Sequence, residues 1–81
     1  MPSSPDDLTG QFAHCVQIFG GTTASSRRLG IDERALRRFV TGERPVSERL
    51  LRDTAQALRS LIAEARSAEE AIVAAVGAEP S

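Results

Sequence analysis

The sequence predicts an all-α fold of four to five short helices, and three observations predict it. Apolar residues recur at three-to-four spacing in most segments. Glycines and capping residues punctuate those segments at helix-like intervals. Strand signals are poor, because the 81 residues contain no Tyr or Trp and no alternating β-branched run. With 41% hydrophobic and 26% charged residues the chain has the composition of one small globular domain. A domain of this size buries only about 60% of the surface its unfolded chain exposes, so a compact helical fold, a second subunit, or both would help it.

Residues 1–5, with two prolines and two serines, read as a flexible arm. The domain proper is expected over residues 6–66. A first helix is predicted from about Asp6 to Phe19, its apolar stripe made by Leu8, Phe12, Cys15 or Val16, and Phe19. Gly20-Gly21 ends it. Thr22 or Thr23 is expected to N-cap a short second helix that runs to about Leu29. Gly30, in Leu29-Gly30-Ile31, suits a sharp corner that needs positive φ. Asp32 N-caps a third helix, from Glu33 to about Thr41, where its charge also suits the helix dipole. Gly42 closes that helix and Pro45 stiffens the loop after it. Ser47 N-caps a fourth helix through Arg66, with Leu50, Leu51, Ala55, Leu58, Leu61, Ile62 and Ala65 on its apolar face. Ser67 and Glu70 have capping-box spacing, which predicts a fresh short helix in residues 67–81, stopped by Gly77 and Pro80.

The near-neutral net charge of −1 hides a segregation. All ten basic residues are arginine, and eight of them (Arg27, Arg28, Arg34, Arg37, Arg38, Arg44, Arg49, Arg52) fall in residues 27–52 with only four acids, a local balance of +4. Local charge, more than the total, governs attraction to phosphate.

On a wheel of the third helix, Glu33, Arg34, Arg37, Arg38 and Thr41 occupy one arc of about 140°, with Ala35, Leu36, Phe39 and Val40 opposite. Arg34 and Arg38 stand four residues apart, a like-charge pair that opposes helix formation by about 0.2–0.5 kcal/mol. A phosphate-lined groove would reward what folding does not. The arginine fork matches guanine O6 and N7. Arg34, Arg37 and Arg38 are therefore expected to read base edges, with Arg34 foremost near the helix N-terminus, and Glu33 to accept from a cytosine amine. Thr22, Thr23, Arg27, Arg28, Thr41 and Arg44 are the expected phosphate contacts. The competing reading of the same arc is a solvated face carrying a Glu33–Arg37 ion pair.

Short helix, glycine turn and second helix over residues 22–41 form the helix-turn-helix signature. On Ser26, Leu29-Gly30-Ile31, Leu36, Phe39-Val40 and Thr41-Gly42 through Pro45, the chain resembles the lambda-repressor and Cro type of helix-turn-helix domain, over roughly residues 8–60. Ser26 would be the small residue where the two helices cross. The resemblance implies a lambda-repressor-like domain with a C-terminal helical extension, acting as a sequence-specific, double-stranded DNA-binding transcriptional regulator, a repressor. Two departures stand out: many members carry alanine at the place of Ser26, and the absence of lysine leaves phosphate contacts to arginine and backbone.

Ala68, Ile72, Val73 and Val76 form an apolar patch at the end of the chain. It reads as a homodimer interface that would match an inverted-repeat operator, or else as core folded back on the domain. The alternative function is a helical adaptor whose arginine face meets an acidic protein partner. No enzyme activity is expected, because His14 and Cys15 are adjacent on a helix and point about 100° apart. Neither a cofactor nor a metal is implied by one histidine and one cysteine. No apolar run or leader-like segment is seen, so a cytoplasmic protein, nucleoid-associated when bound to DNA, is expected.

Overall fold

The computed structural model describes residues 5–77, which form four α-helices and no strand: α1 (Pro5–Phe19), α2 (Thr22–Leu29), α3 (Glu33–Thr41) and α4 (Glu48–Val76). The all-α expectation holds. Pro5, assigned to the arm by the sequence, instead opens α1, where its missing N–H removes a donor that would have no helical partner. The rest of the expected arm lies outside the described residues.

α1 is the centre of the molecule and packs against all three other helices, while α2 bridges to both α3 and α4. Its stripe supplies Phe12, Val16 and Phe19, all buried. Phe12 and Leu36 are completely enclosed and join Val16, Val46 and Leu50 in one cluster, with Leu8, Leu29, Ile31, Phe39, Val40 and Leu51 packed around it. The Phe12 and Phe39 rings meet edge to face with centroids 5.9 Å apart, the geometry that the ring quadrupoles favour. This pair fixes α3 against α1. Cys15, the alternative to Val16 in the stripe, is only half-buried.

Two corners set the helix directions. Between α1 and α2, Gly21 has φ 112° and ψ −173°, a region essentially closed to residues with a Cβ. Its N–H donates to the Val16 carbonyl at 2.9 Å and its carbonyl accepts from Ser25 N at 3.0 Å. Between α2 and α3, Gly30 is left-handed at φ 67°, ψ 32°, and the Gly30 and Ile31 N–H groups both donate to the Ser26 carbonyl. Neither glycine has a neighbour within 4 Å of an added Cβ, so substitution is opposed by backbone strain alone. Gly21→Ala is expected to destabilise the fold by about 1–3 kcal/mol. Gly30→Ala should cost nearer 1 kcal/mol, because the left-handed region is open to alanine at roughly that cost. Chemical denaturation of the two variants checks the order.

Three expectations are corrected here. The N-cap of α2 is Gly21 and no side chain caps it, so neither Thr22 nor Thr23 does; both threonines sit inside the first turn. The small residue enclosed between helices is Ser25, not Ser26, which is only half-buried. The Ser25 hydroxyl donates to the Gly21 carbonyl at 2.7 Å, with the Val16 carbonyl 3.3 Å away, so its polarity is satisfied locally. The third correction is the break at Ser67. α4 is one helix of 29 residues, about 43 Å long at about 1.5 Å per residue. No glycine or proline falls between Val46 and Val76 and the segment is rich in alanine, so serine in mid-helix interrupts it by only a few tenths of a kcal/mol. The expected caps at Asp32 and Ser47 are present: their side chains accept from Arg34 N at 3.0 Å and Leu50 N at 3.1 Å. Among the described residues no helix is long and apolar enough to cross a membrane.

Candidate nucleic-acid interface

α3 divides as its sequence does. Leu36 is enclosed, and Ala35, Phe39 and Val40 are half-buried on the α1 and α2 side. Arg34, Arg37, Arg38 and Thr41 are exposed, with Glu33 half-buried at the edge of the same face. Leu36 and the Phe12–Phe39 contact anchor the helix, so three arginines stand out from a rigid base.

The freedom of each guanidinium decides what the face can do. The Arg34 guanidinium forms no ion pair or hydrogen bond among the described residues, while its backbone N–H donates to the Asp32 carboxylate at 3.0 Å. Arg37 lies 3.7 Å from Glu33 and Arg38 lies 3.9 Å from Glu43, both with most or about half of their side-chain surface in solvent. Both separations exceed good hydrogen-bond length, and exposed pairs of this kind are worth about 0–1 kcal/mol. A phosphate or base edge would displace them at little cost. The solvated-face reading thus accounts for the Glu33–Arg37 contact without fixing either group.

The surrounding candidates divide into open and committed groups. Arg27 is exposed and unpaired among the described residues. The Thr22, Thr23 and Ala24 N–H groups precede Ser25, whose N–H is the first in α2 to donate to a helical carbonyl, that of Gly21, and no side chain caps this end. Such a turn presents donors and the positive end of a dipole. The Arg44 guanidinium lies 5.1 Å from the centroid of the Phe39 ring, and Arg44 N donates to the Arg38 carbonyl at 3.0 Å. These contacts hold Arg44 at the C-terminal end of α3, beside Arg38. The Thr41 hydroxyl turns back to the Arg38 carbonyl at 3.2 Å, which spends its proton inside the helix.

Arg28 does something the sequence does not reveal. Its two terminal nitrogens grip both carboxylate oxygens of Glu64 at 2.7 and 3.2 Å, tying α2 to α4. Hydrogen bonding to Arg28 holds the Glu64 carboxyl below its ordinary range, and the same contact holds the Arg28 pKa up. A depressed carboxylate stabilises the fold above its unfolded pKa, near 4.3, and that contribution fades as pH falls through the folded value. Arg28 in this state is a strut rather than a free phosphate donor. Arg52 likewise faces Glu48 at 3.2 Å, in an exposed pair one turn apart.

Burial pushes the Cys15 thiol above its ordinary range, keeping it protonated and a poor nucleophile. No family model, curated protein or solved structure matches the chain.

Proposed function

We propose that the protein is a sequence-specific, double-stranded DNA-binding regulator of the helix-turn-helix type, acting as a repressor and as a homodimer on an inverted-repeat operator. One observation carries the reading: α3 is locked onto the domain by Leu36 and Phe39 while Arg34, Arg37 and Arg38 project together from its opposite face. The short α2 and the three-residue corner before α3 support it. So do the first turn of α2, which no side chain caps, and Arg27, exposed and without an ion pair among the described residues, both of which suit phosphate contacts that set orientation. In this reading α3 lies in the major groove. Arg34, nearest its N-terminus and without an ion pair among the described residues, reads a guanine, Arg37 and Arg38 reach further along the groove, and Glu33 takes a cytosine amine.

Selection of bound duplexes from a random pool is the test, and a shared half-site is the expected result. Arg34→Ala should then relax preference at one base pair and weaken the selected duplex by about 1–3 kcal/mol. An even loss across all duplexes would reassign Arg34 to phosphate contact. Absence of any common half-site, with retained binding to an acidic protein, would favour the adaptor reading instead.

A further inference from the structure

The outer face of α4 carries a second set of arginines that the α3 reading does not use. On a wheel of about 100° per residue, one arc of about 100° holds Arg49, Arg52, Gln56, Arg59, Ala63 and Arg66 and no other residue between positions 49 and 66. All six are exposed. The middle of the arc lies about 180° from the middle of Leu50 and Thr54, both buried, so the ridge points straight away from the body. It is about 25 Å long at about 1.5 Å per residue. The two acids of this stretch, Asp53 and Glu64, fall about 40° and 60° outside the arc, on the α2 side. Glu64 grips Arg28, and Asp53 lines a shallow cleft with Arg28 and Leu29. Glu48 and Glu70 bound the ridge only at its two ends.

These guanidiniums are open to a partner. Arg49, Arg59 and Arg66 have no ion pair or hydrogen bond among the described residues. Arg52 meets Glu48 at 3.2 Å, with the two side chains 80% and 79% exposed, a pair that a phosphate displaces at little cost. Arg59 has Ala55, Gln56, Ile62 and Ala63 at the three- and four-residue positions around it, so its own helix offers it no carboxylate and folding gains nothing from its charge.

We propose that this ridge is a second, sequence-independent surface for duplex DNA, held through the phosphate backbone. α1 and α2 each pack against both α3 and α4, which do not approach one another closely, so the two arginine faces leave the body on separate flanks. Where α3 holds an operator, α4 is then free to hold a second duplex segment; that bridging rests on the α3 reading, while the α4 contact itself does not. Composition and spacing select the occupant. The ridge has no apolar side chain larger than Ala63, so it lacks the anchor found at the centre of a protein–protein interface. Arg52, Arg59 and Arg66 stand about 10.5 Å apart along the helix axis. An acidic protein must place carboxylates at that interval. A duplex offers a negative charge about every 1.7 Å of its axis, so each arginine finds a phosphate wherever the helix lies. Gln56 adds an amide donor suited to the same backbone.

Binding of the full chain to a random-sequence duplex at 50 mM salt, followed by fluorescence anisotropy, tests the ridge once α3 is silenced by R34A, R37A and R38A. Residual binding should persist in that background. Adding R49A, R52A, R59A and R66A should weaken it by at least about tenfold, and R49K, R52K, R59K and R66K, which keep the charge, should leave most of it. Alanine is the better helix former, so circular dichroism should show α4 intact in the alanine variant. With α3 unaltered, the four ridge alanines should keep the half-site preference but lose the capture of a labelled random duplex on an immobilised half-site duplex. No residual binding in the α3-silenced chain, or residual binding indifferent to the ridge alanines, would overturn the proposal. Equal residual affinity for poly-L-glutamate would overturn it too, by giving the ridge to an acidic protein, and loss of half-site preference in the ridge variant would merge the ridge with the α3 face. Failure of the α3 reading would appear instead as a missing half-site in the unaltered chain and would leave the first comparison standing.

Discussion

Phe12→Ala is expected to destabilise the fold by about 3–5 kcal/mol. The size of the effect follows from position. Phe12 is completely enclosed, its ring meets Phe39 edge to face, and it lies in the cluster with Leu36, Val16, Val46 and Leu50. Truncation removes the ring's transfer free energy and leaves a void that α1 cannot close, because α1 is held simultaneously by the other three helices. A domain of this length has roughly 4–12 kcal/mol in total, so one substitution consumes a large part of it. In a domain this small each kcal/mol moves Tm by about 4–8 °C. A drop of at least about 12 °C by circular dichroism is therefore the expected reading. The comparison must hold protein concentration fixed, since association would stabilise the folded form by mass action. A drop of only a few degrees would mean that the core can repack around alanine and that α1 is not the hub described.

Much of this architecture could be read from local pattern. The α3 caps at Asp32 and Gly42, the glycine corners, and the division of α3 into an apolar and an arginine face all depend on neighbours within a turn or two. Periodicity and capping chemistry encode such features directly. The misses have the opposite character. Ser25 is enclosed because α2 crosses α1 there, and Thr54 is enclosed with its hydroxyl turned back to the Leu50 carbonyl. Both are small polar residues that satisfy themselves on their own backbone, so polarity misled the pattern. Arg28 and Glu64 are thirty-six residues apart, and no spacing rule connects them. The false helix start at Ser67 shows the limit of a capping motif: without a glycine or proline to break the preceding helix, propagation overrides a nominal cap. That correction matters for association, because an unbroken α4 carries Ile72 and Val76 out into solvent rather than folding them back as core.

Replacing Arg34, Arg37 and Arg38 together by alanine should abolish specific duplex binding, at least about a hundredfold, while leaving the helix at least as stable as before. The two halves of the prediction come from the same geometry. None of the three guanidiniums contributes to the core, and the long contacts to Glu33 and Glu43 are exposed, so their removal costs little. Alanine is also the best helix former, and the substitution erases the Arg34–Arg38 like-charge pair. If these arginines served solubility or folding, the triple variant would lose stability or precipitate. If they serve a groove, it keeps its melting temperature and loses its ligand. Salt dependence adds an independent readout, because each phosphate contact removed flattens the slope of log K against log salt by about one unit on B-DNA. Base contacts leave that slope nearly intact. A triple variant that loses affinity with an unchanged slope would assign all three to base edges, while a slope reduced by about three would assign all three to the backbone. Arg28, gripped by Glu64, provides the internal contrast: Arg28→Ala should act on the α2–α4 junction and leave base preference as it is.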